Sequence, residues 1–129
     1  MATFDLLADI KSLLTGITSD IYKNEMPETP VNVITLYNTS GFDPQHTFGA
    51  AKAAWEKPGF QVVVRHETAG TARTWMESIK NALDGKVNFT VNTHYYLSVF
   101  QQGDIISLGR DTENHAIKLS LNFIAEVTR

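Results

Sequence analysis

The chain contains no cysteine, which removes disulfide scaffolds, thiolate metal sites, iron–sulfur clusters and cysteine nucleophiles from consideration. It has no long apolar run either. A membrane-spanning helix needs about 20 consecutive apolar residues, and here polar residues interrupt the hydrophobic stretches every few positions. Basic residues are few and scattered: 11 Lys and Arg stand against 14 Asp and Glu, a net charge of −3 over 129 residues. A broad electrostatic grip on nucleic acid or on an anionic membrane is therefore not expected. The opening residues MATFDLLADIKSLL mix Asp5, Asp9 and Lys11 among the apolar ones. A signal peptide instead needs a basic start and an unbroken apolar core, so a soluble protein made without a secretory leader is expected. What remains is an ordinary globular composition, 43% hydrophobic and 19% charged. A chain this long can bury roughly two-thirds of its unfolded surface in one core, and a single domain spanning 1–129 is expected.

Apolar residues at steps of three and four (Leu6, Leu7, Ile10, Leu13, Leu14, Ile17, Ile21) predict a helix from Thr3 to Tyr22, with Thr3 as N-cap and Gly16 weakening its middle. Pro27 and Pro30 make the following segment an extended connection. VNVITLY, Val31 to Tyr37, reads as an interior strand. Turn residues from Ser40 to Gly49 predict a long mobile loop at about 39–57 that carries Phe42, Phe48 and Trp55. FQVVVRH is a strand. A second helix follows, its stripe formed by Ala72, Trp75, Met76, Ile79, Ala82 and Leu83, opened by Thr68 or Thr71 and closed by Asp84-Gly85. Phe89 to Phe100 reads as one long strand with Asn92, His94, Tyr96 and Ser98 on its polar face, and GDIISLGRDTENHA reads as a connection. Ile117 to Val127 alternates cleanly and is the last strand. The order predicts an α+β fold: a two-layer sandwich with two helices packed on one face of a mainly antiparallel four- to five-stranded sheet. The other face, polar, is left for water or another subunit.

The candidate chemistry is sparse. His46, His66, His94 and His115 fall in no metal-ligand spacing, and His66-Glu67 are strand neighbours that point to opposite faces. No glycine-rich phosphate loop and no nucleophile elbow occurs. No catalytic residue, cofactor or metal is expected, and the protein is read as a non-enzyme. The aromatics Phe42, Phe48 and Trp55 suit a contact with a partner protein, local packing or, with only Lys52 and Lys57 nearby, a nucleic-acid platform. A ligand-binding or enzymatic ferredoxin-like domain using His66, Glu67 and His94 on the open sheet face is the rival reading.

Three segments carry a resemblance: PETPVNVITL (Pro27 to Leu36), FQVVVRHETAGTARTW (Phe60 to Trp75) and LGRDTENHAIKLSLNFIAEV (Leu108 to Val127). Through Pro30, Val33 and Ile34, then Gln61, Val62, Val64, Arg65 and Ala72, then Leu108, Gly109, Arg110, Asp111, Ser120, Asn122 and Phe123, the chain resembles the minor capsid and tail terminator family of long-tailed bacteriophages. It departs from that pattern at Asn114-His115, where the family often has an arginine. The resemblance implies a virion protein of the head-tail junction, assembled in the host cytoplasm. Such a protein forms a ring of six on the head-proximal end of the tail tube, stops tube growth and offers the surface for head joining. Its partners would be itself, the tail tube protein and a head completion or connector protein, with DNA passing through the lumen unbound and no membrane involved. A head-completion protein is the structural alternative. On this reading Phe42, Phe48, Trp55, Arg65, Arg110 and Asp111 are the expected interface residues, with Arg65, Arg110 and Asp111 either in subunit contacts or fixing the loop before the last strand.

Overall fold

The computed structural model describes residues 5–28, 30–46, 53–110 and 115–128, with the backbone alone for 40–46, 53–55 and 128. Helix α1 (Leu6–Leu14) is capped by Asp5, whose Oδ1 accepts from the Ala8 N–H at 3.2 Å. It stops well before Tyr22. Thr15 and Gly16 end it, and Ile21, which continues the helical spacing, belongs instead to a three-residue strand β1 (Ile21–Lys23). The cap expected at Thr3 lies outside the described residues.

Strands β2 (Val33–His46) and β3 (Ala53–His66) pair antiparallel. Over the described residues the expected loop at 39–57 is therefore the outer part of a β-hairpin, with register shifts between Thr39 and His46. Ser40, Gly41, Asp43 and Pro44 sit at those irregularities rather than in an unpaired loop, and Gly49 lies outside the described residues. Helix α2 (Ala69–Leu83) starts after Thr68 and ends at Asp84, followed by Gly85 at φ +78°, as the Asp-Gly pair predicted.

The single long strand expected over Phe89–Phe100 is two strands, β4 (Lys86–Val91) and β5 (His94–Arg110). They are joined through Asn92 and Thr93, which both have positive φ, 48° and 68°. This is the geometry of a two-residue hairpin turn in which both central residues are left-handed. Strand β5 runs on through the segment expected to be a connection, and β6 (Ile117–Thr128) completes the sheet.

The sheet order is β1-β2-β3-β6-β5-β4, with β1 parallel to β2 and every other pair antiparallel. The expected sandwich on a four- to five-stranded, mainly antiparallel sheet is thus incorrect: among the described residues the fold is a curled mixed sheet of six strands with two helices. The error has two sources, a strand taken from the end of the expected helix and a hairpin read as one strand.

Residues alternating along the central strands turn one face to the helices. Val62 and Val64 of β3, with Leu119, Leu121, Phe123, Ala125 and Val127 of β6, join Leu7, Ile10 and Leu14 of α1 and Met76, Ile79 and Leu83 of α2 in one core. Phe60 and Phe123 stack at 5.2 Å between ring centroids. Burying each such side chain contributes about 1.5–3 kcal/mol. Among the described residues no helix is long and apolar enough to cross a membrane.

Candidate assembly surface

The opposite face of the sheet carries no helix, and register alone assembles it. Partners in an antiparallel pair share a face, so the polar positions of β6 define cross-sheet rows. One runs Thr35–Val63–Ser120–Ile106, the next Tyr37–Gln61–Asn122–Gln102, and the next Thr39–Gly59–Ile124–Phe100. The centre of this face is buried without a helix above it: Thr35 is 0%, Val63 5% and Ser120 3% exposed. Two polar atoms there, Thr35 Oγ1 and Asn122 Oδ1, are buried without a hydrogen-bond partner among the described residues. Such groups are costly in a finished interior.

Toward β5 the same face opens. A pocket of about 380 Å³ is lined by Lys57, Ser98, Phe100, Gln101, Gln102, Ile124 and Glu126, and Lys57 Nζ lies 3.4 Å from Glu126 Oε1 at its rim. Strand β4 covers only His94 to Val99 of β5, so the outer edge of β5 beyond Val99 has no partner strand among the described residues. Phe100, Ile106 and Leu108, each more than half exposed, lie on that stretch. With Val87 and Tyr95 they make up the large exposed apolar residues among those described, and all five belong to β4 and β5. Gly103 and Gly109, both near φ +80°, sit beside the register shifts at Gln102/Ile106 and Ser107/Gly109. Bulges of this kind protect a free edge against indiscriminate strand addition.

Arg65 occupies the helix-free face next to these rows but is 4% exposed. Its Nε donates to Val31 O at 2.8 Å, and its Nη2 donates to Pro30 O at 3.0 Å, to Glu28 O at 3.3 Å and to Pro27 O. The guanidinium thus ties the connection before β2 to the sheet through backbone carbonyls, an intrachain role. Exposed Arg110 donates to His115 O at 2.8 Å and so fixes the chain just before β6. Phe42 and Trp55 lie in β2 and β3, Phe42 opposite Lys57 and Trp55 opposite Gln45 and Thr128. Phe48 and Asp111 lie outside the described residues. The structure therefore distributes the expected interface residues between the two ends of the strands rather than gathering them.

The polar face expected for Asn92, His94 and Tyr96 turns out differently. All three converge on Asp9 of α1, itself 1% exposed. Tyr96 Oη donates to Asp9 Oδ2 at 2.5 Å, His94 Nδ1 stands 2.9 Å from the same oxygen, and Asn92 Nδ2 donates to Asp9 Oδ1 at 2.9 Å. Burial, then the Asp9 bond, pushes the Tyr96 hydroxyl far above the ordinary tyrosine range. The cause of the misplacement is a register shift in β5 between Tyr96 and Ser98, which turns Tyr96 into the core. His66 is engaged elsewhere, accepting from the Thr68 N–H at 3.0 Å and meeting Trp75 edge-on at 4.8 Å. Neither histidine lines the pocket, and no group of three metal-ligating side chains occurs among the described residues.

Ile106 and Leu108 were missed because they fell in the segment read as a loop. Three large apolar residues, Ile105, Ile106 and Leu108, in a supposedly solvated connection were the signal that could have found them.

A family profile for bacteriophage tail terminator proteins matches residues 6–129. Among solved structures, a chain from the virion of a native gene transfer agent particle is similar at TM-score 0.72 and 14% identity, covering 96% of this chain and 95% of the other. A second solved structure is similar at TM-score 0.57 and 11% identity, with 95% and 89% covered. No curated protein matches significantly.

Proposed function

Since the chain belongs to the bacteriophage tail terminator family and is a structural protein of phage tails, we propose that it forms a ring capping the head-proximal end of the tail tube. There it ends tube polymerisation and presents the surface that joins the head. The observation that carries this reading is the family match over nearly the whole chain. The helix-free face supports it through its exposed apolar residues on β5. The likeness to a chain from a gene transfer agent virion supports a place in the particle.

A ring needs heterologous contacts that close by rotation. The amide- and hydroxyl-rich face keeps a free subunit dispersed until those contacts form. Six copies are the proposed number, with the tail tube protein on one side and a head completion or connector protein on the other. Phe42, Phe48, Trp55, Arg110 and Asp111 contribute to these contacts, while Arg65 acts from within by holding the 27–31 connection. DNA passes through the lumen of the ring without specific binding.

The test is particle assembly without this protein, followed by electron microscopy and measurement of mass with purified tubes. Tails of uncontrolled length and a tube-end assembly of about 86 kDa, six chains of 14.4 kDa, are expected. Normal tail lengths would overturn the capping role, and full-length tails that fail to join heads would point to head completion instead.

A further inference from the structure

Resting on the ring reading above, the register of the sheet identifies which two surfaces meet. Tyr22 in β1 pairs with Thr35, Thr35 with Val63, Val63 with Ser120 and Ser120 with Ile106. Tyr22 and Ile106 are therefore the two ends of one row that crosses five strands. Among the described residues both ends are open at that level: β1 is the last strand of the sheet, and β4 does not reach this part of β5.

The two edges differ in character. The β5 edge carries Ile106 and Leu108, 55% and 54% exposed, and it ends in Arg110, six residues beyond Asp104. The β1 edge is a depression of about 220 Å³ lined by Tyr22, Lys23, Glu25 and Pro27. It is also acidic. Residues 20–28 hold Asp20, Glu25 and Glu28 against Lys23, which Asp5 already pairs at 2.9 Å. Asp20 gives its carbonyl to the Ile34 N–H at 3.0 Å, which sets it level with Val33. Through Arg65 and Lys118 that level continues to Gly109, next to Arg110.

We propose that the β5 edge of one copy seats against the β1 edge of the next, with Ile106 and Leu108 entering the depression beside Tyr22 and Pro27, and Arg110 facing Asp20. The partner is a second copy of this chain because the two edges lie at one level of one sheet, the exposed apolar pair of one matching the depression of the other and Arg110 of one matching Asp20 of the other. A rotation alone brings them together, and repeating it closes a circle. The bulges at Gly103 and Gly109 keep the β5 edge from extending the ladder without a break, so side chains make the contact and set its register.

The absence of cysteine makes the test direct. Tyr22→Cys and Ile106→Cys are prepared separately and mixed on tube ends under mild oxidation. The mixture is expected to give a cross-linked dimer that neither variant gives alone, and the double variant a ladder ending at the ring number. Charge reversal supplies a second readout that does not need Tyr22: Asp20→Lys or Arg110→Glu alone weakens ring formation by about tenfold, and the two together restore it. Rings of full mass that show no Tyr22–Ile106 cross-link, or Ile106→Cys linking to itself, would overturn this contact while leaving the ring intact. Protein that stays at monomer mass on tubes would overturn the ring and the contact together. The cross-link appearing alongside normal tail lengths in the protein's absence would leave the contact standing and remove only the capping role.

Discussion

The two faces of the one sheet are built from the same strands by alternate residues, yet they are finished differently. The helix-side face is closed by the chain itself, apolar group on apolar group, from Phe60 and Phe123 through to Met76 and Ile79. Its one buried carboxylate, Asp9, is met by the hydroxyl, ring and amide of three residues. The helix-free face is left incomplete. Among the described residues it buries two polar atoms without partners and exposes Phe100, Ile106 and Leu108 along an open edge. The difference separates the work of the sequence: one face pays the entropy of folding, and the other is reserved for association.

That contrast can be broken most severely from the inside. Phe123→Ala removes a fully buried ring from the stack with Phe60 and is expected to cost about 3–5 kcal/mol in denaturant unfolding. A cost near zero would show that the helix-side face is not the stabilising one.

A smaller effect probes the buried polar cluster. Tyr96→Phe leaves Asp9 without its shortest bond, at a cost of about 1–2 kcal/mol at neutral pH. It also changes the alkaline response. In the folded chain burial and Asp9 hold the Tyr96 hydroxyl protonated far above the pH at which an unfolded tyrosine ionises, about 10. The folded state therefore keeps a proton that the unfolded state loses. The stability this provides is complete below pH about 10 and declines above it, by up to about 1.4 kcal/mol per pH unit. Unfolding measured from neutral to alkaline pH should show this slope in the parent and a shallower one in Tyr96→Phe. Tyr37, raised by burial against the opposing pull of Arg65, leaves a residue of it.

The smallest expected effect on folding is the sharpest test of the outer face. Ile106→Ser, at a position 55% exposed, should change stability by no more than about 0.5 kcal/mol while reducing assembly on tube ends, read by mass. A large loss of stability would make Ile106 a core residue and erase the distinction.

What could be read from the sequence follows the same division. Strand β6 and helix α2 were legible because each buries one face, so apolar residues recur with the period of the element. The family was legible through the order of three short segments. Strand β5 was not, because Gly103-Asp104 and Gly109 look like turn punctuation when they are bulges within a continuing strand. The outer reaches of β2 and β3 hid for the same reason: Gly41 and Pro44 lie where the register slips. The Asp9 cluster was invisible because its members are more than 80 residues apart in the chain, and a single carboxylate on a helix carries no signature of what will meet it.

Two of the antiparallel pairs extend in opposite directions. The β2–β3 pair extends past Thr39 and Gly59 toward one end of the strands, whereas β5 and β6 meet at Arg110 and Ile117 at the other. Subunits standing side by side through their edges would all point the same way, so the circle they close would have two unlike rims. Such an object has a front and a back. It could receive a tube on one rim and present a different chemistry on the other, and a second identical ring would find no matching surface on which to stack.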